Sequence, residues 1–119
     1  MAENNNEVRL VSSSGDSIHC RRADTFLSRF MGLMGRDRLP EGQGLLIVPC
    51  NSIHMFFMKF AIDVAFLDKE YKIVKLVRNL APGRIIGTVR GAFQAVEVSA
   101  GGMPESFVEG ARLEVAGSS

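Results

Sequence analysis

Between His54 and Asp68 the chain reads HMFFMKFAIDVAFLD, and this stretch restricts the possible folds more than any other. Side chains of extended backbone alternate between two faces, so Phe56, Met58, Phe60, Ile62, Val64 and Phe66 form an unbroken apolar face that has to be covered. The opposite face, Met55 to Leu67 at odd positions, is also mostly apolar but carries Lys59 and Asp63. Two charges thus interrupt an otherwise buried surface, and half-buried charges persist only when paired. Strands usually run about 3 to 10 residues. The stretch therefore breaks in two, with a bend expected near Lys59 to Ala61.

The flanking sequence predicts further strands. Glu7 to Val11 and Ser17 to Arg21 are joined by SSSGD, a turn composition, which makes a hairpin. Asp24 can cap a helix whose apolar positions Phe26, Leu27, Phe30, Met31 and Met34 recur at helical spacing, ending at Gly32 or Gly35. After the loop Asp37 to Gly44 come strands at Leu45 to Val48, at Tyr71 to Arg78 beyond a turn at Asp68 to Glu70, at Ala92 to Ser99 and at Arg112 to Val115. One helical turn is expected at Pro104 to Val108. Asn79 to Gly91 lacks periodicity; Pro82 and Gly83 suit the centre of a type II turn, and Ile85 and Ile86 can add a strand fragment. With no βαβ alternation, the expected fold is mainly β: an antiparallel β sandwich or partly closed barrel with one short α-helix packed on it.

At 119 residues there is room for one domain, expected over 7–116 between a disordered lead-in, 1–6, and a tail, 117–119. A formal charge of +1 gives no broad basic footprint, so neither nucleic acid nor a membrane is an expected partner. The polar start MAENNNEV has no secretory pattern and the longest apolar run is far too short to span a bilayer, so a cytoplasmic location is expected. Cys20 and Cys50 read as free thiols. His19 and Cys20 are neighbours on a strand and face opposite ways, which argues against a zinc site with His54 and Cys50. Nothing in the sequence calls for a cofactor.

Three segments taken in order, GLMGR at Gly32 to Arg36, MFFMKFAIDVAFLD at Met55 to Asp68 and AVEVSAG at Ala95 to Gly101, closely resemble the bacterial and archaeal family called domain of unknown function 192. The resemblance runs from about Val8 to Val115. It implies a small, mainly β domain and supplies no settled activity. The family pattern falls on Gly32, Met34, Arg36, Met58, Lys59, Asp63, Asp68, Glu97 and Gly101, with Ala61 standing where similar members have proline.

The candidate site follows from the charges in the central stretch. On a straight strand Lys59 and Asp63 would lie about 13 Å apart, at roughly 3.3 Å per residue. A bend lets them converge with Arg36, Arg84 and Glu97, with His54 on the rim. This arrangement would suit a small polar or anionic ligand, carbohydrate-like in one version, held without catalysis. The structural alternative is an internal ion pair that fixes register. An enzymatic alternative is a small hydrolase using His54 with Asp63 or Glu97, and Cys50 as a conceivable nucleophile; no nucleophile elbow or phosphate loop accompanies them. A third reading takes Met55 and Phe57 as an adaptable apolar surface for a partner or a second copy, leaving the oligomeric state open.

Overall fold

Alternation decides the first hairpin. Val8 and Leu10 on β1 (Glu7–Val11) lie opposite Cys20 and Ile18 on β2 (Ser17–Ala23), and all four are buried. The turn between them closes through the Gly15 amide on the Ser12 carbonyl, with Gly15 at a φ of 94° that suits glycine. The structure is a computed structural model that describes residues 6–25 and 37–117. The remaining strands are β3 (Gln43–Ile47), β4 (Ile53–His54), β5 (Ile62–Leu67), β6 (Ile73–Leu80), β7 (Ile85–Ile86), β8 (Gln94–Ser99) and β9 (Glu114–Gly117). The last strand runs to Gly117, slightly past the domain end expected from sequence.

Seven strands form one sheet in the order β6-β5-β8-β3-β2-β1-β9, and β4 pairs with β7 in a separate small ribbon. The sheet is mixed rather than antiparallel, because β2 and β3 run parallel with Arg21 beside Leu45. A parallel pair needs a crossover of a dozen or more residues, and residues 24–42 provide it. The short helix expected from Asp24 falls mainly on 26–36, outside the described residues. Among the described residues there is no helix, and Pro104 to Val108 makes only a turn in which the Phe107 amide donates to the Pro104 carbonyl. Among the described residues, therefore, no helix is long and apolar enough to cross a membrane.

The sheet curls until its two edges meet at one end. Ile73 donates to Ala111, Leu113 donates to Tyr71, and Lys72 bridges Arg112, so the strands leading into β6 and β9 are stitched together there. Among the described residues closure goes no further: β6 pairs only with β5 and β9 only with β1. The concave face holds Leu10, Ile18, Leu46, Leu67, Ile73, Val96 and, from the 100–113 segment, Met103, Phe107 and Leu113. On the other face Leu45, Ile47, Ile62, Val64, Phe66 and Ala95 pack with Leu39, Ile53 and Met55. Apolar side chains on both faces explain why all six residues of β5 are buried.

The central stretch bends where expected, but its alternation does not run through. Strand β4 ends at His54, a turn at Phe56 and Phe57 and a bend at Lys59 and Phe60 follow, and β5 begins only at Ile62. Across those turns the expected faces dissolve. Met55, assigned to the mixed face, is buried, whereas Phe56 from the apolar face is 45% exposed and Phe57 is 80% exposed.

Candidate functional site

Asp63 is almost fully buried on β5, and its surroundings account for its charge. One carboxylate oxygen accepts the Asn79 amide at 2.8 Å; the other accepts the amides of Gly101 at 3.0 Å and Met103 at 3.2 Å. The Arg78 guanidinium lies 3.7 Å from that second oxygen and donates to the Met103 carbonyl. Asp63 therefore ties β6, at a register shift where Asn79 adopts a φ of 57°, to the turn after β8. These contacts serve backbone groups that ladder hydrogen bonds leave open.

Glu97 lies on the opposite face. It stands between Val64 on β5 and Leu45 on β3, whereas Asp63 stands opposite Val98, and neighbours along a strand point to opposite sides. Glu97 is buried among apolar residues of the second cluster, and desolvation pushes its carboxyl up to about 7. Lys59 is on the surface, 3.9 Å from Asp37, with both side chains largely exposed. The bend therefore does not bring Lys59, Asp63 and Glu97 together, and Asp63 finds its cation in Arg78.

His54 and Arg84 are near each other only along the backbone of the ribbon. His54 pairs with Ile85, and the Met55 amide donates to the Arg84 carbonyl at 2.8 Å. Gly83, at a φ of 85°, donates to the Met55 carbonyl and occupies the position a type II turn requires. The inward residues Ile53 and Met55 anchor the ribbon in the second cluster, so His54 faces out, where its ring stacks on Phe56 with centroids 5.2 Å apart. Arg36 lies outside the described residues.

A concavity occurs elsewhere. Over β1, β2 and β3, on the face that carries the second cluster, apolar positions give way to Glu7, Arg9, His19, Arg21 and Gln43. Leu39 overhangs them, held by Ser99, whose hydroxyl accepts from the Leu39 amide at 2.7 Å and donates to its carbonyl at 3.0 Å. The cleft beneath measures about 240 Å³ and is lined by Glu7, His19, Arg21, Leu39, Gln43 and Leu45. Sequence reasoning missed it. The polar alternation Glu7, Arg9 and His19, Arg21 was legible, but on a hairpin that pattern is also what an ordinary solvent face looks like. Cys20 points the other way, into the concave core, where burial pushes its thiol up to about 12, and the Cys50 thiol donates to the Ser52 carbonyl at 3.1 Å.

The model of the family DUF192, described as "Uncharacterized ACR", matches residues 9–115. The chain belongs to DUF192. Relatives of this DUF192 chain include a UPF0127 protein of Pyrococcus horikoshii, 39% identical over 67% of this chain and 69% of the relative. A second, from Pyrococcus furiosus, is 38% identical over 82% of each. The DUF192 fold recurs in two crystal structures. One is a candidate transcription regulator of Sinorhizobium meliloti 1021, with a TM-score of 0.79 at 24% identity, covering 97% of both chains. The other is a protein of unknown function from Novosphingobium aromaticivorans, with a TM-score of 0.77 at 18% identity, covering 91% of this chain and 83% of that one. At these identities the likeness is one of fold.

Proposed function

We propose that this DUF192 domain is a non-enzymatic binding module for a small polar or anionic molecule, received in the cleft over β1 to β3. The observation that carries the reading is the concavity of about 240 Å³ with Arg21 on its lining. Small-ligand sites are concave, with a few polar groups that fix orientation. A guanidinium stays charged at any ordinary pH and forks onto carboxylate or phosphate oxygens. Glu7, directly across from Arg21, can accept hydroxyl or amino hydrogens, and Gln43 and His19 can donate or accept. A water's share of liquid is about 30 Å³, so the cleft suits something the size of a sugar acid or a small phosphate ester.

The Lys59- and Asp63-centred arrangement has less support, because Asp63 is engaged by three amides and Lys59 lies with Asp37 at the surface. Hydrolysis by His54 with Asp63 or Glu97 has less still. His54 faces outward from the ribbon, and the two carboxylates are on opposite sides of the sheet.

A thermal-shift screen of the wild type and Arg21→Met against phosphates, carboxylates, sugars and amino acids tests the proposal. Arg21 is exposed, so the variant keeps its core. Ligand at one hundred times its Kd adds about 2.7 kcal/mol, which for a domain of this size is about 10 °C in Tm. The expected result is a shift for one anionic class that vanishes in Arg21→Met. No shift with any class, or an equal shift in the variant, refutes the cleft as the site.

A further inference from the structure

The cleft over β1 to β3 has an internal order that narrows what can occupy it. Glu7, Arg21 and Leu45 stand side by side on β1, β2 and β3, and His19 and Gln43 form the adjoining row on β2 and β3. All five line the cleft. Glu7 and Arg21 are exposed, and across an antiparallel pair their Cβ atoms are about 4.5–5.5 Å apart. One end of the cleft thus presents a carboxylate and a guanidinium as immediate neighbours. The other end is apolar: Leu45 forms its floor, and Leu39, hung on the Ser99 hydroxyl by two hydrogen bonds, forms its roof. Both leucines are buried.

The neighbouring charges discriminate between ligand classes. A phosphate dianion drawn to Arg21 would face the Glu7 carboxylate as well, and like charges side by side oppose binding. A neutral sugar would cover both charges and compensate neither. The surroundings favour neither sign: Arg38 and Glu41 flank Leu39 and Pro40 on the roofing segment, and Arg9, across from His19, stands beside β9, which carries Glu114. Glu97, on the far side of Leu45, is buried. A molecule with one positive and one negative group on neighbouring atoms, continued by an apolar group, meets every feature of the cleft at once. At about 30 Å³ for each water, a cleft of about 240 Å³ has room for about eight of them, the scale of a free amino acid and not of a peptide.

We infer that the cleft binds a free α-amino acid with an aliphatic side chain. The carboxylate lies on the Arg21 fork, the ammonium on Glu7 and the side chain on Leu45 beneath Leu39, with His19 and Gln43 on the same lining to serve the remaining lone pairs of the carboxylate. The inference rests on the reading of this cleft as a small-molecule site, and it fixes the anionic group of that molecule as a carboxylate with an ammonium beside it.

Isothermal titration calorimetry of the whole chain at neutral pH with leucine, 4-methylpentanoate, leucinamide and glycine tests it. The second probe is leucine without its ammonium, the third is leucine without its carboxylate charge, and the fourth lacks the side chain. Each should bind about tenfold more weakly than leucine, the worth of one charge-assisted hydrogen bond or of one buried leucine side chain. Glu7→Gln should erase the preference for leucine over 4-methylpentanoate and keep the preference over leucinamide; Arg21→Met should do the reverse. Both side chains are exposed, so the variants keep the core and the circular dichroism of the wild type. Equal binding of leucine and 4-methylpentanoate, or a preference that survives Glu7→Gln, overturns the inference and leaves the cleft standing as an anion site. A phosphate ester or sugar acid that binds where leucine does not has the same meaning. Binding of no probe, those of the thermal-shift screen included, overturns both readings.

Discussion

Glu97→Gln is the perturbation with the clearest signature. The carboxyl sits between Leu45 and Val64 in an apolar cluster, and burial raises it from 4.5 to about 7. At about 1.4 kcal/mol per pH unit, this displacement corresponds to about 3 kcal/mol. Below pH 4.5 the group is protonated in both the folded and the unfolded chain, and the domain keeps its full stability. Between 4.5 and about 7 the unfolded chain gives up the proton while the folded one retains it, so stability falls as pH rises. Above about 7 the loss is complete and constant. Glutamine has nearly the same shape and no proton to lose, so Glu97→Gln removes this slope, although burying its amide adds a pH-independent cost of about 1–3 kcal/mol. Urea unfolding followed by far-UV circular dichroism suits a chain with a single tyrosine and no tryptophan. With a slope near 2 kcal/mol per molar, the difference in midpoint between wild type and variant should change by about 1.5 M from pH 4 to pH 8. A difference that stays flat over that range would mean that Glu97 is solvated or paired, and the account of a lone buried carboxyl would be wrong.

Asp63→Ala strands three backbone amides and removes the carboxylate beside the Arg78 guanidinium, and should lower unfolding stability by about 3–5 kcal/mol. Asp63→Asn keeps one acceptor oxygen and should lose less; a loss under about 1 kcal/mol for alanine in urea titrations would show that the turn is held by something else. Lys59→Met should change stability by no more than about 0.5 kcal/mol, because its ion pair with Asp37 is 3.9 Å long and solvent-screened. A Tm drop of more than a few degrees would show that Lys59 has a buried role.

The strands were legible where alternation is enforced by burial on a regular ladder. The hairpin of β1 and β2, the fragment Ile85–Ile86 and the turn at Pro82 and Gly83 stand where propensity puts them. What the sequence hid was pairing at a distance. Composition does not distinguish a parallel neighbour from an antiparallel one, so the β2–β3 pair and the curl that joins Tyr71 to Leu113 left no local trace. The family resemblance, by contrast, was carried by three separated segments and holds over residues 9–115.

The candidate site was less legible for a related reason. Lys59 and Asp63 were grouped because they are near in sequence and both charged within an apolar run, but a charge in such a run has two ways to survive. Asp63 stays buried because the chain returns three amides to it, from residues that no spacing rule connects to β5. Lys59 survives because the run leaves the sheet before reaching it, and the same departure turns Phe57 outward. The break between β4 and β5 therefore does two jobs. It frees the strand from a cation it could not bury, and it leaves Phe56 and Phe57 on the surface, where a core strand could not have carried them.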